Sequence, residues 1–542
     1  AGFTPAAVAC RAALRRRAWS YLHFSVSMCG AALVKWAQWA SVRRDIFPED
    51  FCTAMSALHD DAPRHSKRQT ERILSEELGV SPSRIFAHFP DEPVASGSIA
   101  QVYRCTLRPE VATACAARDP ELARRLRAHH KLWEQGQRAM LGQQGHGQQS
   151  ASRPGASAGA EVGRTAAACG SVGFWLGFGR RLRRSRGGGV AEGGGGGENT
   201  ETLAAAAAAA LGSPSGCVVA VKVRHPGVER QIFLDFQILK RAARLVSGVP
   251  ALKGLNLEET LGQFSHTMTA QTDLRTEARN LRRFGRNFRR ARAVSAPWPV
   301  AGLVTAGLLC ETFERGEALS SAIRRGCEHN ATLCAHGVDT YLKMLLRDNF
   351  LHSDLHPGNI LFHMHQPPGT GPRSPAPPSA SGASAALGAS LAGEVRLVLL
   401  DFGIADELPA DVRNRFLTFL FCLVHTDGVA AADAILGWSS DQKCTGAGVE
   451  ALRRDMCQLC ETMCVMRTQK VDLDAVLKAV MVLLRRHGVS IDAIYASLVI
   501  SLCVLVGFAS ALDENLNLFE VAVTAFLSYS VTGDVVGKLF EK

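Results

Sequence analysis

Two stretches of this sequence carry residues whose types and spacing could do chemistry. The first is Leu351-His352-Ser353-Asp354-Leu355-His356-Pro357-Gly358-Asn359-Ile360-Leu361, and the second, about forty residues on, is Leu400-Asp401-Phe402-Gly403. An Asp with an Asn five residues later, then a second Asp closing an apolar run, suits phosphoryl transfer. Asp354 would orient or deprotonate an acceptor hydroxyl. Asn359 and Asp401 would hold the magnesium that bridges the phosphates of ATP, because Mg2+ takes hard oxygen ligands and keeps its waters. A lone Asp-Phe-Gly arises readily by chance, and two acidic loops in an ordinary domain are the plain alternative. The reading therefore depends on what precedes these stretches, and in what order.

Phosphates need a cradle and a cation. Val94-Ala95-Ser96-Gly97-Ser98-Ile99-Ala100-Gln101-Val102-Tyr103-Arg104-Cys105 reads as a small-residue turn between two strands. The small side chains of Ala95, Ser96, Gly97 and Ser98 would let backbone amides approach phosphate oxygens; taken alone the turn reads as a plain hairpin. Cys217 to Val223 is an apolar strand with one Lys, Lys222. Such a Lys costs desolvation unless phosphates and an acid meet it. Glu277, on a helical region from Asn256 to Phe288, is the acid expected to pair with Lys222, against the ordinary alternative of a surface Glu in an Arg-rich helix. Pro297 to Leu309, then Cys310-Glu311-Thr312-Phe313-Glu314-Arg315-Gly316, reads as strands entering a turn, in the order of an adenine-contacting strand and a hinge between lobes. A helix from Leu333 to Phe350 leads to the first stretch, and Val395 to Leu400 is the strand ending at Asp401. Residues 109–216, with Gln, Gly and Ala clusters, read as a low-complexity insertion holding at most a helix from Pro120 to Met140, and 363–394 as a second insertion.

Ahead of these elements, residues 20–44 predict a helix carrying Lys35 and Gln38 three apart on one side, which alone would be a solvated Lys beside a Gln. Further helices are expected from Phe47 to Leu58 and from Lys67 to Leu78, the latter stopped by Gly79. Everything after Pro409 reads as helical, without the Ala-Pro-Glu that anchors a peptide-substrate segment. Ala493 to Ala511 is apolar for nearly a bilayer's span, yet Asp513 and Glu514 follow at once, so a buried helix is expected. Much of the net charge of +11 sits in Arg patches that do not interleave aromatics in a nucleic-acid pattern, so no nucleic-acid partner is expected. Sixteen scattered cysteines fit a reducing compartment. Cys457, Cys460 and Cys464 have metal-ligand spacing but no fourth ligand, and read as a buried helix. The acid-free residues 1–19 fit the tail of an organelle transit peptide or a basic helix.

With these residues in order, the chain resembles the UbiB, or aarF-domain-containing, family of atypical kinases. His352-Ser353-Asp354-Leu355-His356-Pro357-Gly358-Asn359, Ser98-Ile99-Ala100-Gln101-Val102-Tyr103 and Val219-Ala220-Val221-Lys222-Val223-Arg224-His225-Pro226-Gly227-Val228 carry the likeness, which runs from Lys35 to about Phe519 apart from the insertions. The resemblance implies that Lys35 and Gln38 belong to a Lys-x-Gly-Gln motif covering the site where a protein substrate would dock, with Asp273 as a latch acid. Three positions depart: Ala37 replaces the motif Gly, Gln271 stands where the family has the Glu of Glu-x-Asp, and Gly97 interrupts an Ala-rich loop. The Gln271-Thr272-Asp273 wording resembles one mitochondrial branch.

The expected fold is α+β, an atypical bilobal protein-kinase-like fold. Its parts are a basic segment at 1–19, a helical extension at 20–80, an N-lobe at 81–315 and a helical C-lobe at 316–542. The resemblance implies ATP and Mg2+ as cofactors, a lipid or quinone precursor and a quinone-biosynthesis complex as partners, and peripheral attachment to the mitochondrial inner membrane, with plastids as the alternative. The function expected is an ATPase or phosphotransferase supporting coenzyme Q biosynthesis or lipid handling. A catalytically silent, nucleotide-gated lipid scaffold and a small-molecule phosphotransferase are the rivals.

Overall fold

The computed structural model describes residues 5–27, 30–42, 49–56, 64–127, 217–246, 257–326, 329–352, 355, 357–364, 395–464 and 471–513. The chain opens with three helices, α1 (Pro5–Ser27), α2 (Ala31–Val42) and α3 (Glu49–Ser56), which share a small core of Val26, Ala37, Phe51, Cys52 and Met55. Where a single helix is expected over 20–44 there are two, and Gly30, directly before α2, is not helical. A side chain at Gly30 would lie 2.5 Å from the Asp235 carboxylate and 2.6 Å from the Gln231 amide, so both of those side chains would have to shift to admit one. Helix α4 (Lys67–Leu78) has the limits its sequence predicts: the Gln69 side chain accepts from the Ser66 amide at 3.0 Å, and Gly79, at φ 70°, closes the C-terminus in the left-handed region.

A six-stranded antiparallel sheet follows, in the order β1-β3-β4-β7-β6 with β2 paired to β3. Its strands are β1 (Phe86–His88), β2 (Ala95–Ser96), β3 (Ala100–Leu107), β4 (Val218–Arg224), β6 (Pro299–Val304) and β7 (Leu308–Thr312). A second sheet runs β5 (Val294–Ser295), β11 (Val395–Leu399), β10 (Ile360–Met364), β8 (Glu317–Ala318), and a two-stranded ribbon joins β9 (Leu351–His352) to β12 (Ala405–Asp406).

Alternation along the strands of the first sheet divides its residues between two faces. Ala95, Val102, Lys222 and Leu309 are cross-strand neighbours in one row, and Arg104, Ala220 and Glu311 lie in a row on the same face. The opposite face is an apolar core of Tyr103, Cys105, Val219, Val221, Val223, Leu308 and Cys310, closed by Leu74 of α4. This outer layer extends into the segment read as an insertion, with a helix from residue 120 as expected and a further one before it. The residues from 109 onward begin with α5 (Pro109–Arg118) and a helical stretch over 120–127, whose Ala112, Cys115, Leu122 and Leu126 are buried against the sheet. The helical spacing of α5 is hidden by the Ala and Arg residues around it. Residues 128–216 and 365–394 lie outside the described residues.

Three helices sit beside the sheet: α6 (Val228–Val246), α7 (Leu257–Ala270) and α8 (Leu274–Asn287). The continuous helical region expected over 256–288 is broken at Gln271–Asp273, where Asp273 accepts from the Arg275 amide at 3.0 Å and caps α8. Beyond the hinge come α9 (Leu319–Arg325) and α10 (Asn330–Lys343), the latter extended by one π-turn over Met344–Asp348. The rest is helical: α11 (Ala410–Val424), α12 (Gly428–Leu436), α13 (Ala447–Met463), α14 (Leu473–Arg486) and α15 (Ala493–Leu512). Tyr495, Leu498, Val499, Leu502, Val506 and Ala509 of α15 belong to the large apolar core. No helix among the described residues is long and apolar enough to cross a membrane. Cys457 and Cys460 lie on α13 with Cys464 at its C-cap, and among the described residues no three His, Cys, Asp or Glu side chains cluster to hold a metal ion.

Candidate active site

The site is built where β4, α8 and the end of β11 converge. Lys222 occupies the cleft face of β4 because Val221 and Val223 on either side point into the outer core. Its ammonium donates to Glu277 Oε1 at 2.5 Å, and both side chains are fully buried. Glu277 lies in the first turn of α8, whose other buried positions, Leu274, Ala278, Leu281 and Phe284, form an apolar stripe that fixes the helix against the sheet. Burial pushes the Glu277 carboxyl upward, the Lys222 ammonium opposes that push and Asp401 adds to it. A pair of this kind is held by geometry: removing either member leaves an uncompensated buried charge.

The second stretch joins this pair through its backbone. The Phe402 amide donates to the same Glu277 oxygen at 3.3 Å, and Asn280, one turn further along α8, donates from its amide to the Phe402 carbonyl at 2.9 Å. The Phe402 ring is buried 4.7 Å from both Phe284 and His352. Asp401 is thereby held at the mouth of the pair, its Oδ1 accepting from the Gly403 amide at 2.8 Å. A β-carbon on Gly403 would lie 3.1 Å from that oxygen and 3.9 Å from Gln271, so glycine keeps the approach open. Asn359, fully buried at the end of a 3-10 turn, accepts at its carbonyl from Leu400, the residue before Asp401, at 2.8 Å. The Asn359 carboxamide and Asp401 carboxylate thus belong to adjoining backbone segments and supply hard oxygen donors of the kind Mg2+ takes. Ser353, Asp354 and His356 lie outside the described residues.

The small-residue turn sits at the end of the Lys222 row. Ala95 pairs with Val102, the cross-strand neighbour of Lys222, and Ser96 with Gln101; Gly97 donates its amide to the Ala100 carbonyl at 2.7 Å. From behind, a chain of neutral hydrogen bonds fixes the turn. The Gly97 carbonyl can only accept, so His225 carries its proton on Nε2, 2.8 Å away. Its Nδ1 must then accept from His65 Nδ1 at 2.7 Å, and His65 Nε2 accepts from the Thr70 hydroxyl at 3.0 Å. Thr70 in turn accepts from Tyr103 at 2.8 Å, and Gln101 donates to Tyr103 at 2.5 Å. Burial holds His65 down to about 4 and lowers His225 as well, consistent with two uncharged rings.

Of the residues expected at the site, the structure brings Lys222, Glu277 and Asp401 together, sets Asn359 beside Asp401, and places Ala95 to Ser98 at the edge of the same face. Lys35 is half-buried on α2, and Gln38 follows on that helix with its side chain outside the described residues. Asp273 is engaged locally: besides capping α8 it takes the Arg275 guanidinium through both oxygens at 2.5–3.0 Å. The sequence did not single out the His65–His225 contact, the Asn280 anchor or the burial of Glu311. His225 stood in a quoted motif, but its partner is 160 residues away, and no local spacing announces that.

Comparison with known proteins agrees with this geometry. The model of the ABC1 atypical kinase-like domain matches residues 57–140 and 200–434. The chain is 23% identical over 95% of its length to a probable serine/threonine-protein kinase, abkC, of Dictyostelium discoideum, and 25% identical over 95% to an ABC1 family protein of Schizosaccharomyces pombe named as mitochondrial. It is 20% identical over 77% to a probable protein kinase UbiB of Marinobacter nauticus. The chain spans just under two thirds of the first two relatives, 65% and 66%, and 53% of the third. The matched domain covers more than half of the 542 residues, and the chain belongs to the ABC1 atypical kinase-like family.

Proposed function

We propose that the protein binds Mg-ATP and acts as an atypical kinase or ATPase in support of prenyl-quinone metabolism at a mitochondrial membrane. The observation that carries the nucleotide half is the buried Lys222–Glu277 pair, joined through the Phe402 amide to the segment bearing Asp401. Lys222 holds the α and β phosphates, and Glu277 keeps the ammonium pointed into the cleft rather than toward the strand. The turn at Ala95–Ser98 covers the phosphates with its backbone amides. Asn359 and Asp401 hold the magnesium, which neutralises charge on the transferred phosphate oxygens. Asp354 orients the acceptor, whether a hydroxyl or water. The quinone half rests on relatives named UbiB and mitochondrial. The helix bearing Lys35 and Gln38 serves as the latch that closes the site to protein substrates, and contact with the membrane is peripheral.

Thermal shift of the purified protein checks the nucleotide half. Mg-ATP should raise the melting temperature of the wild type, while Lys222→Ala and Asp401→Asn should retain cooperative unfolding and lose the nucleotide shift. A wild type indifferent to Mg-ATP would sink the reading; binding with turnover at background would leave a nucleotide-gated scaffold instead. Lipid profiling of a knockout checks the other half, and unchanged quinones and precursors would remove it.

A further inference from the structure

The cleft face carries another acid, and it lies one row away from the ion pair. Glu311 of β7 is the cross-strand neighbour of Ala220, two residues before Lys222 on β4, so it stands on the same face as Lys222, about 7 Å further along the strands. One residue beyond it β7 ends at Thr312, and the chain passes through Phe313–Gly316 into the second sheet. Glu311 is fully buried, and among the described residues neither of its carboxyl oxygens meets a hydrogen-bond donor. The nearby ammonium of Lys222 is already in contact with Glu277. Burial pushes the Glu311 carboxyl well above the usual carboxylate range, with Lys222 opposing and Glu277, Glu314 and Asp401 adding to the push. Buried polar groups without partners are uncommon and call for an explanation in function.

The position supplies one. A nucleotide whose phosphates lie at Lys222 must extend its base along the cleft, and Glu311 lies between that lysine and the inter-lobe linker. We propose that Glu311 reads the base edge of the bound nucleotide and selects a 6-amino purine over a 6-oxo purine. Whatever its protonation state, a carboxyl group can donate from at most one of its two oxygens. The adenine edge, with the 6-amino group as donor and N7 as acceptor, satisfies a protonated carboxyl at both oxygens and gives an ionised one a donor. The corresponding edge of guanine or hypoxanthine offers two acceptors, O6 and N7, and leaves at least one carboxyl oxygen facing another acceptor. A site built to hydrogen-bond a ligand rejects the analogue lacking that group far more strongly than an apolar wall does.

This inference rests on the nucleotide reading above, and the experiment separates the two. Competition binding with Mg-ATP, Mg-ITP and Mg-GTP is measured on the wild type and on Glu311→Ala, Glu311→Leu and Glu311→Gln. The wild type should prefer ATP over ITP by at least about tenfold. Alanine and leucine should bring that ratio to near one, and glutamine, which offers one donor and one acceptor group, should retain most of it. Leucine fills the buried volume without a polar group, so it reports even where alanine folds poorly. An ATP-to-ITP ratio near one in the wild type, or a ratio unchanged by alanine or leucine, overturns the role of Glu311 and leaves nucleotide binding standing. No binding of any nucleotide by the wild type removes both.

Discussion

The two faces of the six-stranded sheet use the same strands in different ways. On β4, Val219, Val221 and Val223 go to the outer core while Ala220 and Lys222 face the cleft; on β7, Leu308 and Cys310 go outward while Leu309 and Glu311 face inward. The outer face stabilises by apolar burial, and where it turns polar it does so through an uncharged hydrogen-bond chain from Gln101 to Gly97. The cleft face buries charge that costs stability unless paired. Because alternation in a strand has a period of two, one residue of register separates an ammonium in the cleft from an ammonium in the apolar core. The lesson is that packing and chemistry are set on the same backbone by parity, so each can be altered with limited effect on the other.

The largest expected break of this contrast is at the ion pair. Glu277→Ala removes the buried carboxylate that meets the Lys222 ammonium at 2.5 Å, and should cost about 3–5 kcal/mol in chemical denaturation together with the nucleotide shift. A variant that kept wild-type stability would show that the pair is not buried as described. On the outer face, Leu308→Ala should also destabilise, by about 2–5 kcal/mol, through lost burial and the cavity left behind. Its nucleotide affinity, measured where the fold is intact, should stay within about threefold of wild type; a collapse of affinity would mean the two faces are not separable.

The smallest effect is one of pH. His65 is held down to about 4 in the folded chain against 6.5 for an ordinary histidine, so the unfolded chain binds the extra proton first as pH falls. Stability is therefore retained above about 6.5 and declines as pH drops from there toward about 4. In His65→Gln, which carries no titrating ring, a melting temperature tracked across that window should fall less steeply. Equal slopes in the two proteins would count against the neutral His65–His225 pairing.

Lys222, Asn359 and Asp401 were legible as candidates because each is tied to a local pattern, a single Lys in an apolar strand and an Asn or Asp at a fixed place beside Gly or Phe; Glu277 was legible as a helix-borne acid expected to meet Lys222, and its place in the first turn of α8 is a feature of the fold. The limits of α4 were legible for the same reason, since Ser66, Gln69 and Gly79 act within one turn of the helix ends. Other features were not. Helix α5 carries too few large apolar residues to stand out from the Ala- and Arg-rich sequence around it, and its burial against the outer face is what shows it. Asp273, expected as a latch acid, spends its carboxylate on the α8 cap and on Arg275, an arrangement visible only once the break before α8 is known.

The sequence alone pointed to the family and to the residues proposed to handle phosphates and magnesium, because those depend on residue type and on short spacings that the backbone preserves. Tertiary structure decided which of the acids are buried and which cations they meet, because burial and cross-strand neighbours depend on register and on segments far apart in the chain. It decided likewise that the apolar run at Ala493–Leu512 packs into the helical core: its composition suits lipid and protein interior alike, and only the residues around it distinguish the two. Glu311 shows the division most clearly. In the sequence it is one acid near the end of an apolar strand, and only the pairing of β7 with β4 puts it on the face of Lys222.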